Sequence, residues 1–383
     1  MNVDRRTLIK ATGAAGIAGL AGCTGGPTEG GDSGSNDSGG SGGNDSSGSG
    51  NESTDGGSES GGSSDINVGM IYATGGLGDG SFNDQAQTGV QQASEEFGVS
   101  SNDVQPSEVT EFQTFQQQFA QGGEYDLICC IGFLQAEALA ETSQDYPEQN
   151  FMIVDSVVEQ SNVASYTFGE NEGSFLVGQM AGLLTQQEFS AGAGQTSPDQ
   201  TTVGFVGGVE GDLIGKFEAG YRAGVAEASE DIEVQVSYVG NFNDVQAGNE
   251  AATAMYNDGA DIVYHAAGNA GTGVFQAAQE AGKFAIGVDQ DQSLTKSGYA
   301  DVILASMVKR VDTAVYTSIE NVVNDSFNGG SVTTLGLEQE GVAAVYGDQI
   351  GSEIPEDVTS AVSESRQAII DGNIEVPADP SNL

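Results

Sequence analysis

The chain has 383 residues, with 56 Asp and Glu against 10 Lys and Arg, a formal net charge of −46. That length exceeds one ordinary domain and suits two domains with extra segments. The charge excludes nucleic acid as a partner, which requires clustered Lys and Arg, and equally the anionic cytoplasmic leaflet. Acidic, aromatic-poor chains can be disordered, but apolar periodic segments recur through residues 66–383, which disorder does not produce. Charge of one sign spread along a folding chain points instead to adaptation to high salt, because molar salt screens the self-repulsion.

In chain order, residues 1–22 read as a targeting segment. Arg5-Arg6 precede an apolar, small-residue stretch over residues 8–22, a twin-arginine export pattern too short to span a membrane comfortably. Leu20-Ala21-Gly22-Cys23 resembles a lipobox, which implies cleavage before Cys23 and lipidation of its thiol. Residues 23–64 are almost entirely Gly, Ser, Asp, Asn, Glu and Thr, the composition of a flexible, disordered tether.

From residue 66 the pattern changes. Apolar runs predict strands at 66–72, 126–131, 151–155, 202–206, 232–239, 261–265, 284–289 and 302–308. Helical spacing predicts helices at 83–97, 136–144, 213–228 and 247–257. Strands alternating with helices predict an α/β fold with parallel sheets covered on both faces. Two such sheets fit the length, and ligands then sit beyond the carboxyl ends of the strands, where the Gly-rich turns and lone polar residues fall. Cys129 and Cys130 are neighbours in one strand and point to opposite faces, so they are expected as buried free thiols.

A catalytic constellation is not found. The one histidine, His265, ends a strand and cannot form a zinc cluster alone. Residues 66–383 carry no G-x-S-x-G elbow, and the turn at 75–80 lacks the ending of a phosphate-binding loop. No cofactor, metal or enzymatic activity is expected. After residues 1–22 only seven basic residues remain, Lys216, Arg222, Lys283, Lys296, Lys309, Arg310 and Arg366. In so acidic a chain these are candidates for specific roles, with Lys309 at a strand end foremost.

Six segments, in order, carry a family resemblance: G-G-L-G-D-G-S-F-N-D at 75–84; F-M-I-V-D at 151–155; T-F-G-E-N-E-G-S-F-L-V-G at 167–178; V-G-F-V-G-G at 203–208 with L-I-G-K-F-E-A-G-Y at 213–221; A-A-G at 266–268 with G-V-F at 273–275; and A-I-G-V-D-Q-D-Q at 285–292 with S-M-V-K at 306–309. Over about residues 66–350 the chain resembles the basic membrane protein (BMP) family of substrate-binding lipoproteins, similar to purine nucleoside receptors, in a halophilic archaeal version. The resemblance implies a type I periplasmic-binding fold of two hinged lobes, lobe 1 over 65–168 plus about 292–320 and lobe 2 over 169–291 plus about 321–383. It implies a monomer on the outer face of the cell membrane, anchored through Cys23, that serves the permease subunits of an ABC importer. Phe82 and Phe217 match the two rings that sandwich a purine base. Asp289 and Lys309 match residues that bind ribose hydroxyls, and Asn83, Asp155 and Gly268 match further pocket positions. One departure is Ala73, where many members carry an aspartate that can contact the base; it opens the choice among purines and keeps a non-nucleoside ligand as an alternative. A lipid-anchored nucleoside-processing enzyme is the remaining one.

Overall fold

The computed structural model describes residues 65–383; the targeting segment, Cys23 and the tether lie outside the described residues. The elements follow as β1 (Asn67–Ile71), α1 (Phe82–Phe97), β2 (Ser100–Val104), α2 (Phe112–Gly122), β3 (Leu127–Cys130), α3 (Ala136–Asp145), β4 (Phe151–Val154), β5 (Val163–Phe168), α4 (Glu170–Thr185), β6 (Ser190–Ala191), β7 (Gly194–Gln195), β8 (Thr202–Gly207), α5 (Asp212–Ala228), β9 (Glu233–Tyr238), α6 (Val245–Asn257), β10 (Ala260–Ala266), α7 (Gly271–Ala281), β11 (Phe284–Asp289), α8 (Gln292–Thr295), β12 (Ile303–Lys309), α9 (Val311–Val323), β13 (Val332–Leu335), β14 (Val342–Tyr346) and α10 (Glu356–Ile370).

The first sheet runs β13-β5-β4-β3-β1-β2 and is parallel throughout. The second runs β14-β12-β11-β10-β8-β9, parallel except for antiparallel β14. Strands β3 (Leu-Ile-Cys-Cys) and β4 (Phe-Met-Ile-Val) are buried along their whole length, as a parallel strand covered on both faces must be. Cys129 and Cys130 are free thiols that join different apolar clusters on the two sides of the sheet. At the rim, β2 reads Ser-Ser-Asn-Asp-Val and is exposed; its polar side chains discourage pairing with another chain at that edge.

The chain passes between the sheets three times: from β5 into α4, from β12 into α9, and from β13 into β14. The expected return to lobe 1 over 292–320 is therefore corrected. Strand β12 belongs to the second sheet, and only α9 returns, packing on α1 of the first. Strand β13, expected in lobe 2, pairs with β5 of the first sheet. Sheet membership is a long-range pairing that a local apolar run does not encode. Helices α4 and α5 pack backbone to backbone, since a Cβ at Gly220 or Gly224 would run into the carbonyls of Asn171 and Phe175.

Candidate ligand-binding site

The carboxyl ends of both sheets face one cleft, the expected place for a ligand in open α/β sheets. The cleft holds about 690 Å³ of empty space, its open mouth included. All seven residues singled out in the sequence line it: Phe82, Asn83 and Asp155 from the first lobe, Phe217, Gly268, Asp289 and Lys309 from the second.

The loop after β1 is built to present Phe82. Gly76, Gly78 and Gly80 adopt positive φ, which glycine does without a steric cost. Asp84 accepts from the Gly78 and Gly80 N–H groups at 2.7 and 2.8 Å. Asp79 accepts from the Ser81 and Asn83 N–H groups at 2.9 and 3.0 Å, satisfying donors at the start of α1 that the helix leaves open. Asn83 donates from Nδ2 to Asp79 at 3.1 Å and accepts the Ala73 N–H on Oδ1 at 2.9 Å. Its carbonyl oxygen thus fastens the loop, and Phe82 begins the helix with its ring against Gly132.

The polar half of the site comes from strand ends. Asp155 and Asp289 sit at φ 67° and 65°, a left-handed conformation that aspartate tolerates better than bulkier residues. Lys309, the last residue of β12, places Nζ 2.7 Å from Asp155 Oδ2, with both side chains 3 % exposed. The ammonium also lies 4.8 Å from the Phe82 ring centre and 5.3 Å from that of Phe217, within range of attraction to both ring faces. Asp289 accepts the hydroxyl proton of Ser81 from the opposite lobe. Burial pushes Asp289 up to about 6, with Lys309 pulling it back. Burial also opposes the charge of Lys309, but Asp155, Asp289 and Glu170 outweigh it and hold Lys309 above its ordinary value.

Several contributors escaped the sequence reading. Phe133, after β3, and Phe242, after β9, line the cleft and meet edge to face with centres 6.4 Å apart. Beside them Asn243 Nδ2 donates to the Thr74 carbonyl across the lobes at 2.8 Å. Gln290 and Thr295 donate to the carbonyls of Ser81 and Gly80 at 2.8 and 2.9 Å, so the lobes are closed on each other. The available signal was position alone, since Phe133 and Phe242 each follow a strand on its ligand side. Ala73 abuts Gly132, beside the Phe82 ring, and leaves that end of the cleft without the expected carboxylate.

His265 is fully buried and does not line the cleft. Gln292 Oε1 accepts from the Val288 N–H and lies 2.9 Å from His265 Nε2, which therefore donates. Burial pushes the imidazole down to about 4, so it stays neutral and serves packing. Of the other basic residues, Lys216, Arg222, Lys283 and Arg310 each pair with a carboxylate, Glu170, Glu218, Asp261 and Asp312 respectively.

The cleft thus gathers aromatic rings, two strand-end carboxylates and one buried ammonium. Residues 66–380 match the family profile described as Bmp, ABC transporter substrate-binding protein PnrA-like. The chain is 35 % identical over 337 residues to the CD4+ T-cell-stimulating antigen of Listeria monocytogenes, covering 83 % of this chain and 90 % of that one. It is 34 % identical to the ABC transporter nucleoside-binding protein BmpA of Lactococcus lactis, covering 82 % and 90 %. An ABC transporter solute-binding protein of Aeropyrum pernix superposes with a TM-score of 0.72 at 30 % identity, covering 82 % and 94 %. The chain belongs to the Bmp family of PnrA-like ABC transporter substrate-binding proteins, and is a binding component of a transporter, not an enzyme.

Proposed function

We propose that this protein captures ribonucleosides, purine ribonucleosides foremost, and delivers them to an ABC permease from the outer face of the membrane, where the lipidated Cys23 and the tether of residues 23–64 hold it. The observation that carries the reading is the meeting of Lys309, Asp155 and Asp289 beside the Phe82 and Phe217 rings. A carboxylate accepts from vicinal hydroxyls and an ammonium donates to the same oxygens. Aromatic faces on either side add about 1–3 kcal/mol per stacked base, by analogy with single-stranded nucleic acid. The rings come from opposite lobes, Phe82 on α1 and Phe217 on α5, so stacking couples base capture to closure about the three crossovers.

A second reading, the same transport role with a different small ligand, draws on Ala73 and the apolar surroundings supplied by Phe133 and Phe242. Thermal melting in molar KCl separates the two. Ribonucleosides that raise the melting temperature more than their 2′-deoxy counterparts support the first; no shift with any nucleoside leaves the second.

A further inference from the structure

Glu170 does not line the cleft, yet it lies directly behind it. It is the first residue of α4, just after the crossover at Gly169, and is 0 % exposed. Its Oε1 is 3.9 Å from Lys309 Nζ, and its Oε2 is 3.5 Å from Lys216 Nζ. Oε1 is buried with no hydrogen-bond partner among the described residues. Lys309 ends β12 and carries the ion pair to Asp155. Lys216 precedes Phe217 on α5. A chain with only 10 basic residues thus spends two of them on one buried carboxylate, each on an element that bears one half of the site.

We infer that Glu170 is a positioning residue for ligand capture, holding the Lys309 ammonium and, through Lys216, the turn of α5 that presents Phe217, so that one buried group sets the polar and the stacking halves of the cleft against each other. This rests on the proposed reading of Lys309 and Phe217 as ligand contacts. The groups facing Glu170 are Lys309 from β12, Lys216 from α5 and Asp155 from the end of β4; Asp289 faces Lys309 from the end of β11. The start of α4 favours an anion through the helix dipole. Burial nevertheless pushes Glu170 up to about 7; Lys309 and Lys216 pull it back and Asp155 adds to the rise. The carboxylate therefore gains and loses its charge around neutrality. Ionised, it draws Lys309 and Lys216 together; protonated, it releases both, and capture weakens.

The test uses the full chain and the variants Glu170→Gln, Glu170→Asp and Lys216→Met. In the ligand-free protein, carbon NMR of the glutamate carboxyls is followed against pH. One glutamate titrates near neutrality, is missing in E170Q, and moves upward in K216M, where a positive neighbour is gone. In parallel the Kd for adenosine is measured between about pH 7 and 8.5, above the range of Asp289. The wild type tightens about twofold as pH rises, the most that one group titrating at about 7 allows over this range. E170Q binds about tenfold more weakly at the upper end, a loss of one pK unit's worth of interaction, and its Kd is flat with pH; E170D recovers part of the slope. A wild-type pH profile in E170Q, or no glutamate titrating near neutrality, overturns the inference. If the wild type binds no nucleoside, the ligand reading fails separately, and the carboxyl titration with its K216M shift alone decides the role of Glu170.

Discussion

Lys309, at the end of β12 in the second sheet, lies 2.7 Å from Asp155, at the end of β4 in the first. The pair is buried and joins the two halves of the molecule across the floor of the cleft. A buried charge left without its partner costs about 3–5 kcal/mol. Lys309→Met leaves Asp155, Glu170 and Asp289 facing one another, so it lowers unfolding stability by an amount of that order and removes ribonucleoside binding. Adding Asp155→Asn restores part of the stability and none of the binding. Denaturant melts of the single and double variants, with a binding assay on each, check both statements.

Phe217 is 2 % exposed and stands beside Lys309. Replacing it with alanine weakens affinity for a ribonucleoside by about 1–3 kcal/mol on the stacking estimate. Free ribose, which has no base to stack, is unaffected. Equal loss for nucleoside and sugar contradicts the stacking role.

Asp289 is raised to about 6 by burial, against about 3.9 in an unfolded chain. A group raised in the folded state contributes stability that is present below its unfolded value and is lost as pH rises through its folded value. At about pH 7.5 the ionised carboxylate is therefore a cost to the ligand-free protein. Asparagine tolerates the left-handed backbone that Asp289 adopts at φ 65° and still accepts the Ser81 hydroxyl. Asp289→Asn accordingly raises the ligand-free melting temperature at about pH 7.5 and leaves it unchanged near pH 4. It loses ribonucleoside binding more than binding of free bases. In the wild type, affinity falls as pH drops below about 6, where Asp289 takes up a proton and stops accepting from hydroxyls. Calorimetric melts and a pH series of Kd values check the signs.

A formal net charge of −46 repels itself at low ionic strength, and salt at molar concentration screens that repulsion to about 3 Å. The melting temperature therefore climbs steeply from dilute buffer to molar KCl. A value indifferent to salt contradicts the adaptation argument.

The buried strands were legible because burial on two faces writes a continuous apolar run: β3, β4, β8, β10, β11 and β12 all read that way. Strand β2 was invisible because an exposed edge strand needs no apolar residues and this one reads Ser-Ser-Asn-Asp-Val. Helix α4 is buried almost all round, so it shows no amphipathic period and was read only as a motif. Lys309 stood out as a scarce basic residue at a strand end, the roles of all seven site positions came from the family resemblance, and the cleft collects all seven. Glu170 stood inside a quoted motif without a role, since its meaning lies in two ammonium groups 46 and 139 residues away in the chain. Phe133 opens a single 3-10 turn and Phe242 lies in a loop, segments too short or irregular to carry a periodic signal, and only the closed structure brings them together.

The central claim is that ribonucleosides bind between the two lobes through Lys309, Asp155 and Asp289 with Phe82 and Phe217. Calorimetric titration of the protein in molar KCl with adenosine, guanosine, inosine, cytidine and adenine tests it most directly. The account predicts tight binding of the purine ribonucleosides, weaker binding of cytidine and little or none of adenine, which lacks the hydroxyls. Adenine binding as tightly as adenosine, or no heat with any ribonucleoside, contradicts it.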